Sequence, residues 1–192
     1  MYAEQRQRSE LQSAVTSMED YYRSLEMVAT IGMVDDARLP RVAQLTQKTN
    51  QLNMTTRRYS EQEIAAFAAD PDARVYWINV RDRFGDNGVV GVMIVRTEGE
   101  TWAFDTFLMS CRVIGRTVET AMLATVTEDA LAAGATRLAG WFLPTRKNAP
   151  AEAIYADHGF KKTEESDDGS RWELDLATSP VEAPEWIQRD RT

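Results

Sequence analysis

The sequence predicts an α+β domain whose mixed, mostly antiparallel sheet is flanked by helices, with an extra helix at the N-terminus. Three strand-like runs, 74–81, 88–97 and 101–110, are separated by short turn-rich gaps, which is typical of an antiparallel meander. A long helical pattern follows the third run and gives way to another strand after Gly134. The 192 residues are enough for one ordinary domain with small appendages.

Residues 3–26 predict one amphipathic helix. Its apolar residues recur at spacings of three and four and are Leu11, Val15, Met18, Tyr22 and Leu25. A stripe of this kind has to be buried, and three partners are open: this domain, a second copy in a homodimer, or a neighbouring domain.

A strand over 27–34 and two helices lead from this segment to the meander. Leu39-Pro40 predicts the start of a helix that runs towards residue 50. Ser60 and Glu63 form a capping box, which predicts a second helix over 61–69.

After the meander, the pattern predicts two helices, one further strand and a closing hairpin. These elements are a helix over 117–133, a strand over 137–143, a helix over 150–158, and hairpin strands over 160–164 and 171–176. The predicted organisation is an N-terminal helical segment or linker at 1–26, a domain at 27–176 and an acidic tail at 177–192.

Composition excludes several classes of protein. The single cysteine, Cys111, and the single histidine, His158, exclude a disulfide framework and a zinc site of several Cys and His ligands, and we expect no metal. The net charge of −8 argues against a nucleic-acid partner. No apolar run is long enough to span a membrane, and the polar N-terminus is unlike a signal peptide, so we expect a cytoplasmic protein.

Short motifs resemble the GNAT acyltransferase pattern, namely Gly115 before the central helix, Asn148 after the next strand, and Tyr155 with Gly159-Phe160. Longer segments between residues 20 and 176 resemble the C-terminal, GNAT-like half of FkbH-like proteins. These segments are RVAQLTQKTNQLNMTTRRYS (41–60), RFGDNGVVGV (83–92), DTFLMSCRVIGRTVE (105–119) and PTRKNAPAEAIYADHGF (144–160).

The resemblance implies a GNAT-like fold and an acyltransferase. In FkbH-like proteins a HAD-type phosphatase half and the GNAT-like half together load a glyceryl group from 1,3-bisphosphoglycerate onto an acyl carrier protein, for polyketide or tetronate assembly. The phosphatase motif Asp-x-Asp-x-Thr/Val does not occur in these residues, so a HAD-type domain or protein is an expected partner. We expect no tightly bound cofactor, with the phosphopantetheine of the carrier protein as acceptor. A CoA-dependent N-acetyltransferase and a non-catalytic docking module are the alternatives.

Cys111 is the predicted nucleophile, because the motif of the family places its acyl-carrying cysteine here. A helix N-terminus after the strand, together with Arg112 and Arg116, would favour the thiolate. The alternative interpretation is a small buried apolar residue.

His158, Tyr155 and Asn148 are further candidates, each with a structural alternative. His158 is a base for Cys111 or a helix C-terminal residue, and Tyr155 is a general acid or a core aromatic. Asn148 binds substrate or caps the following helix. A Cys–His–Asn triad is excluded if that helix is continuous, since ten residues of helix span about 15 Å.

Two further sets of residues complete the predicted site. The donor-rich segment suits a phosphorylated, hydroxylated acyl donor and includes Asn50, Asn53, Thr55, Thr56, Arg57 and Arg58. The turn expected to bind pantetheine or phosphate includes Arg112, Val113, Gly115, Arg116 and Thr117. Thr117 and Glu119 replace the small residues that CoA requires, which favours a carrier-protein acceptor over CoA. Asp105 is roughly 20 Å along its strand from Cys111 and cannot bond to it unless a bulge shortens the path, so we interpret Asp105 as a pocket or structural residue.

Overall fold

The three runs of the meander form the centre of a mixed nine-stranded sheet in the computed structural model, which describes residues 2–192. The strands are β1 (Met27–Met33), β2 (Leu52–Asn53), β3 (Ala73–Asp82), β4 (Gly85–Glu98), β5 (Thr101–Met109), β6 (Arg137–Phe142), β7 (Lys161–Ser166), β8 (Gly169–Asp175) and β9 (Ile187–Arg191). The α-helices of these residues are α1 (Tyr2–Ala14), α2 (Met18–Leu25), α3 (Leu39–Lys48), α4 (Glu61–Ala69), α5 (Val118–Ala132) and α6 (Ile154–Asp157).

The strand order across the sheet is β7-β8-β6-β5-β4-β3-β1-β9, and β2 pairs with β5 outside this path. The pairs β5–β6 and β1–β9 are parallel, and the other pairs are antiparallel. The predicted α+β class with a mixed, mostly antiparallel sheet is therefore confirmed.

Helices cover both faces of the sheet. On one face, α5 and α6 bury side chains such as Met122 and Tyr155 against Phe104 of β5. On the other face, α3 and α4 bury Val42 and Ile64 in a second cluster. Among the described residues, no helix combines the length and the apolar character that a membrane crossing would require.

The N-terminal segment is two helices rather than the single helix predicted. Ser17 is extended, and its hydroxyl accepts a hydrogen bond from the N–H of Asp20, so that a new helix starts after it. Tyr21 and Leu25 of α2 are buried in the main core, and Leu11 of α1 packs against it. Most of the apolar stripe therefore packs on this domain, while Met18 is exposed.

A buried ion triad fixes α1 to the sheet. Asp82 accepts hydrogen bonds from Nε and Nη2 of Arg8 at 2.8 and 2.9 Å and from Nη1 of Arg116 at 2.9 Å, and its side chain is fully buried. Burial alone would raise the pKa of Asp82, but the hydrogen bonds from Arg8 and from the N–H of Phe84, with both guanidinium charges, hold the pKa below its usual range.

The C-terminal residues 177–192, predicted as a tail, return to the sheet. Strand β9 pairs in parallel with β1, and Ile187 is buried. Arg189 and Arg191 form ion pairs with Glu128 and Asp129 of α5. The segment is acidic overall, and the alternation of apolar and polar residues in this short edge strand is too brief to predict a strand.

The helix predicted over 150–158 is interrupted. The N–H groups of Ala151 and Glu152 bond three residues back, to Asn148 and Ala149, so the segment begins as a 3-10 turn and only 154–157 is α-helical. The break leaves Asn148 and His158 on separate turns.

Strand β5 leaves β6 halfway along its length. The two strands pair only where 101–104 faces 137–140. Asp105 is an extra residue in the register with β4, and a bulge of this kind bends a strand. Beyond the bulge, β5 pairs with β2, a strand of two residues that sequence patterns are too short to reveal.

We expect Asp82→Ala to lower the free energy of unfolding by about 3–5 kcal/mol, because the change leaves two buried guanidinium groups without a counter-charge. Chemical denaturation measures this loss. Asp167→Ala, in the exposed β7–β8 turn, is the matched control and should stay within about 0.5 kcal/mol of the parent protein. Equal losses for the two variants would contradict the role of the triad.

Candidate active site

Cys111 lies in an exposed 3-10 turn directly after β5. Ser110 caps this turn, since its hydroxyl accepts hydrogen bonds from the backbone N–H and the Nε of Arg112 at 3.4 and 3.2 Å. Helix α5 starts only at Val118, so the turn and further residues separate Cys111 from the N-terminus predicted to favour its thiolate. The interpretation of Cys111 as a buried apolar residue is also wrong, because the residue is exposed.

A cavity of about 830 Å³, here named the basic cavity, opens beside Cys111. Four cationic side chains line it, those of Arg41, Lys48, Arg146 and Lys147, and no carboxylate does. None of the four forms an ion pair with a carboxylate in the part of the chain that the structure describes.

Burial and mutual repulsion both act on the cations at this end of the sheet. Burial lowers the pKa of Arg41, and the positive charge of Arg112 lowers it further. Because an uncompensated cluster of like charges is costly, an anionic ligand would relieve it. The cations nearest to Cys111 are therefore side chains that line the basic cavity.

A second cavity of about 460 Å³, here named the α1 cavity, also has Cys111 in its wall. It is lined on one side by Glu4, Gln5 and Arg8 of α1, and on the other by Asp86, Asn87 and Arg112. The ion pair of Arg8 with Asp82 holds α1 in this position. Cys111 therefore borders two separate cavities.

His158 is engaged elsewhere. Its Nδ1 lies 2.7 Å from the carbonyl oxygen of Ile154, to which it donates, and its Nε2 lies 2.8 Å from the hydroxyl of Thr120. His158 lines neither cavity of Cys111, and among residues 2–192 no hydrogen bond joins the two side chains. The arrangement matches the structural alternative, in which His158 interacts with carbonyl groups at the end of its helix.

Asn148 is buried, and its side chain joins the segment at Asn53 to the end of β6. Its Nδ2 donates to the carbonyl oxygens of Asn53 and Leu143 at 2.9 and 3.0 Å, and its Oδ1 accepts from the N–H of Thr145 at 2.6 Å. No side-chain bond caps the helical turn that follows. The arrangement matches neither predicted role, because the amide bonds to residues before it and not to those after it.

Tyr155 lies in the core. The side chain is fully buried against Phe104, Phe160 and Trp172, and burial raises the pKa of its phenol. The hydroxyl has no hydrogen-bond partner and rests over Gly140, where a Cβ atom would clash with it. A general acid would need a route to substrate that this packing does not leave open.

The donor-rich segment is divided between two places. Asn50 lines the basic cavity, and its Oδ1 accepts from Arg58 at 2.6 Å. Arg58 also donates to the carbonyl groups of Thr46 and Gln47, so it caps the C-terminus of α3. Asn53 is buried and bonds to the backbone of Thr49.

Thr55 and Arg57 line a third cavity, of about 370 Å³, together with Asp105. Arg57 forms an ion pair with Asp105, and the hydroxyl of Thr55 donates to the carbonyl of Asp105 at 3.0 Å. The hydroxyl of Tyr59 donates to the Asp105 carboxylate at 2.7 Å, and Thr56 adopts a φ of 54°. As predicted, Asp105 has no hydrogen bond to Cys111.

The turn after Cys111 differs from the predicted anion site. Arg112 donates to the carbonyl of Asn87 at 2.6 Å, Val113 is buried, and Arg116 belongs to the ion triad. The hydroxyl of Thr117 accepts from the indole of Trp186 at 2.8 Å. Of these residues, only Gly115 has a backbone that a phosphate could approach, because its φ is 74° and the space around it is open.

The cations of the basic cavity were missed by sequence reasoning. Arg41, Arg146 and Lys147 lie inside segments that carry the family resemblance, but they are separated by about a hundred residues and belong to no local motif. Only the fold brings the start of α3 next to the loop after β6.

The sequence matches no protein-family model and no curated protein. Solved structures do match. The ribosomal-protein-S18-alanine N-acetyltransferase from Escherichia coli has 15% identity and a TM-score of 0.58, and the match covers 82% of this chain and 97% of that one. The PaiA N-acetyltransferase from Thermoplasma acidophilum, solved in complex with coenzyme A, has 12% identity and a TM-score of 0.54, covering 77% and 98%.

A third similar structure is the spermidine N-acetyltransferase from Vibrio cholerae, with 12% identity, a TM-score of 0.59, and coverage of 79% of this chain and 95% of that one. Identities this low establish the fold and no activity. The chain therefore has the mixed α+β fold of the GNAT acetyltransferases.

Proposed function

We propose that this chain is an acyltransferase that carries its acyl group on Cys111 as a thioester. The observation that carries the proposal is an exposed, single cysteine beside a cavity with four uncompensated cations. The resemblance to FkbH-like proteins gives the finer reading: the donor is a glyceryl acyl phosphate derived from 1,3-bisphosphoglycerate, and the acceptor is the phosphopantetheine thiol of an acyl carrier protein.

The chemistry takes two steps at one sulfur atom. The Cys111 thiolate attacks the acyl carbon of the donor, the C–S bond forms, and the bond from carbon to the phosphate oxygen breaks so that phosphate leaves. The acceptor thiol, deprotonated to solvent, then attacks the thioester carbon and releases the Cys111 thiolate. Because Cys111 lines both the basic cavity and the α1 cavity, the sulfur can be reached from two directions.

Charge supports an anionic donor. The chain carries a net charge of −8, yet Arg41, Lys48, Arg146 and Lys147 gather where no carboxylate offsets them. Lysine and arginine heads of this kind bind phosphate oxygens and neutralise the leaving phosphate as it departs. A carrier protein or its phosphopantetheine phosphate would meet the same positive field. A HAD-type phosphatase partner remains part of the proposal because the resemblance implies it.

A CoA-dependent N-acetyltransferase is the second candidate, since the similar structures are N-acetyltransferases and one holds coenzyme A. It would use Tyr155 as general acid, and here that phenol is fully buried with no partner. A docking module without catalysis is the third candidate. It predicts that Cys111→Ala leaves both complex formation and pathway output unchanged.

Incubation with 1,3-bisphosphoglycerate should add one acyl group to the intact protein, because Cys111 is the only cysteine. Intact mass measures the addition, and hydroxylamine should remove it as expected of a thioester. Cys111→Ala should remain unmodified. The trial is repeated with an added HAD-type phosphatase from an FkbH-like protein, and an unmodified parent in both trials, or equal labelling of the variant, would contradict the proposal.

The basic cavity should make Cys111 react faster with an anionic reagent than with a neutral one. We expect the ratio of alkylation rates for iodoacetate over iodoacetamide to fall about twofold in Lys147→Ala, and to fall further with added salt. Lys161→Ala, which removes an equal charge from β7, is the matched control and should leave the ratio unchanged. If neither Lys147→Ala nor added salt changes the ratio, the cavity does not act on the thiol.

A further inference from the structure

The two edges exposed by the bend at Asp105 need hydrogen-bond partners. Beyond the bulge, β5 no longer pairs with β6, so main-chain groups of both strands face a wedge-shaped gap. An extended ligand with amide groups, such as the pantetheine arm of CoA, could enter the gap only by bonding to these groups. The coenzyme A complex of a similar structure makes this fit worth testing.

The gap is filled by the segment 52–55 of this chain. On the β5 side, Leu52 and Asn53 pair with Met109 and Leu108. The N–H of Met54 then donates to the carbonyl of Phe107 at 3.0 Å, and the hydroxyl of Thr55 donates to the carbonyl of Asp105 at 3.0 Å.

The same segment satisfies the opposite edge. The N–H of Leu143, directly after β6, donates to the carbonyl of Met54 at 2.8 Å, and Nδ2 of Asn148 donates to the carbonyl of Asn53 at 2.9 Å. Leu52, Asn53, Met54 and Thr55 are all buried. A segment bonded and buried on both sides is a structural strand, and a ligand could displace it only by breaking all of these bonds.

The turn before α5 also carries groups that disfavour an anion. Glu119 bonds to its own backbone N–H, its Oε2 is buried without a partner, and burial raises the pKa of the carboxyl. The indole of Trp186 donates to the hydroxyl of Thr117 and stacks on Tyr22 of α2, with ring centroids 5.2 Å apart. A pyrophosphate at this turn would therefore lie beside a carboxyl group and an aromatic pair, although Gly115 is open.

We propose that segment 52–55 is a built-in occupant of the gap between β5 and β6, and that this chain does not hold CoA there. Acyl donors and acceptor thiols then reach the protein from the outer end of the gap, through the cavities beside Cys111. The route through these cavities rests on the proposed function. The occupation of the gap does not, because it follows from the hydrogen bonds and burial of the segment.

The test combines calorimetry with hydrogen exchange on the full chain. Titration shows whether millimolar CoA binds anywhere on the protein. In either case the amides of Met54 and Leu143 should exchange as slowly as those of β5, with and without CoA. Binding of CoA together with faster exchange in 52–55 would overturn the proposal, since it would show that the ligand displaces the segment. Fast exchange in 52–55 without CoA would overturn it too.

Two variants test whether Asn148 holds segment 52–55 in place. Asn148→Ala removes the donor to Asn53, so the Met54 amide should exchange about tenfold faster than in the parent. Asn50→Ala, at the rim of the basic cavity, is the matched control and should leave the exchange unchanged. Equal exchange in the two variants would contradict the pinning of the segment.

Acylation of Cys111 is measured on the same samples, so that failure of the filled-gap proposal can be distinguished from failure of the proposed function. Faster exchange in 52–55 on CoA binding, together with Cys111 acylation, contradicts the filled gap and leaves the proposed function standing. Slow, unchanged exchange in 52–55 without acylation contradicts the proposed function and leaves the filled gap standing.

Discussion

The bend of β5 at Asp105 is the constraint on which the candidate site depends. It ends the pairing with β6 after Gly140 and opens a gap that β2 fills. Because β2 follows α3 in the chain, filling the gap carries the C-terminal end of α3 to the end of β5. Lys48 of α3 and Cys111 after β5 then border the same cavity. A change in the direction of one strand thereby brings charge and thiol together.

A second constraint acts from the other side of Cys111. The carboxylate of Asp82 is shared by Arg8 of α1 and by Arg116 from the turn before α5. The triad holds α1 beside Cys111, so that the two together line the α1 cavity. Because Arg116 is bound to Asp82, it is not available to bind phosphate. Moving α1 away would leave buried charges of this triad unpaired, which is costly, so the triad holds α1 in one position. The N-terminal helices are therefore part of the domain rather than an appendage.

Most of the fold could be predicted from the sequence, because its elements carry local signals. The capping box of Ser60 and Glu63 fixes the start of α4, and the alternation of the meander fixes β3 to β5. The break at Ser17 and strands β2 and β9 could not be predicted, since each depends on contacts with distant residues.

The candidate site could be predicted only in part. The resemblance directed attention to Cys111, and the structure places this residue in a charged, accessible setting. It did not reveal that the side chain of Asn148 donates to the carbonyl of Asn53, or that Arg57 forms an ion pair with Asp105. A donor-rich polar segment has the same composition whether its residues hold a strand in place or bind a substrate. Only their partners in the fold distinguish the two.

The measurement that tests this account most directly is a crystal structure of the protein after reaction with an acyl phosphate donor. The account predicts electron density for an acyl group on the sulfur of Cys111, with its polar end among the cations of the basic cavity and with β2 still paired to β5. An acyl group or pantetheine arm lying between β5 and β6, with residues 52–55 displaced and Cys111 unmodified, would contradict it.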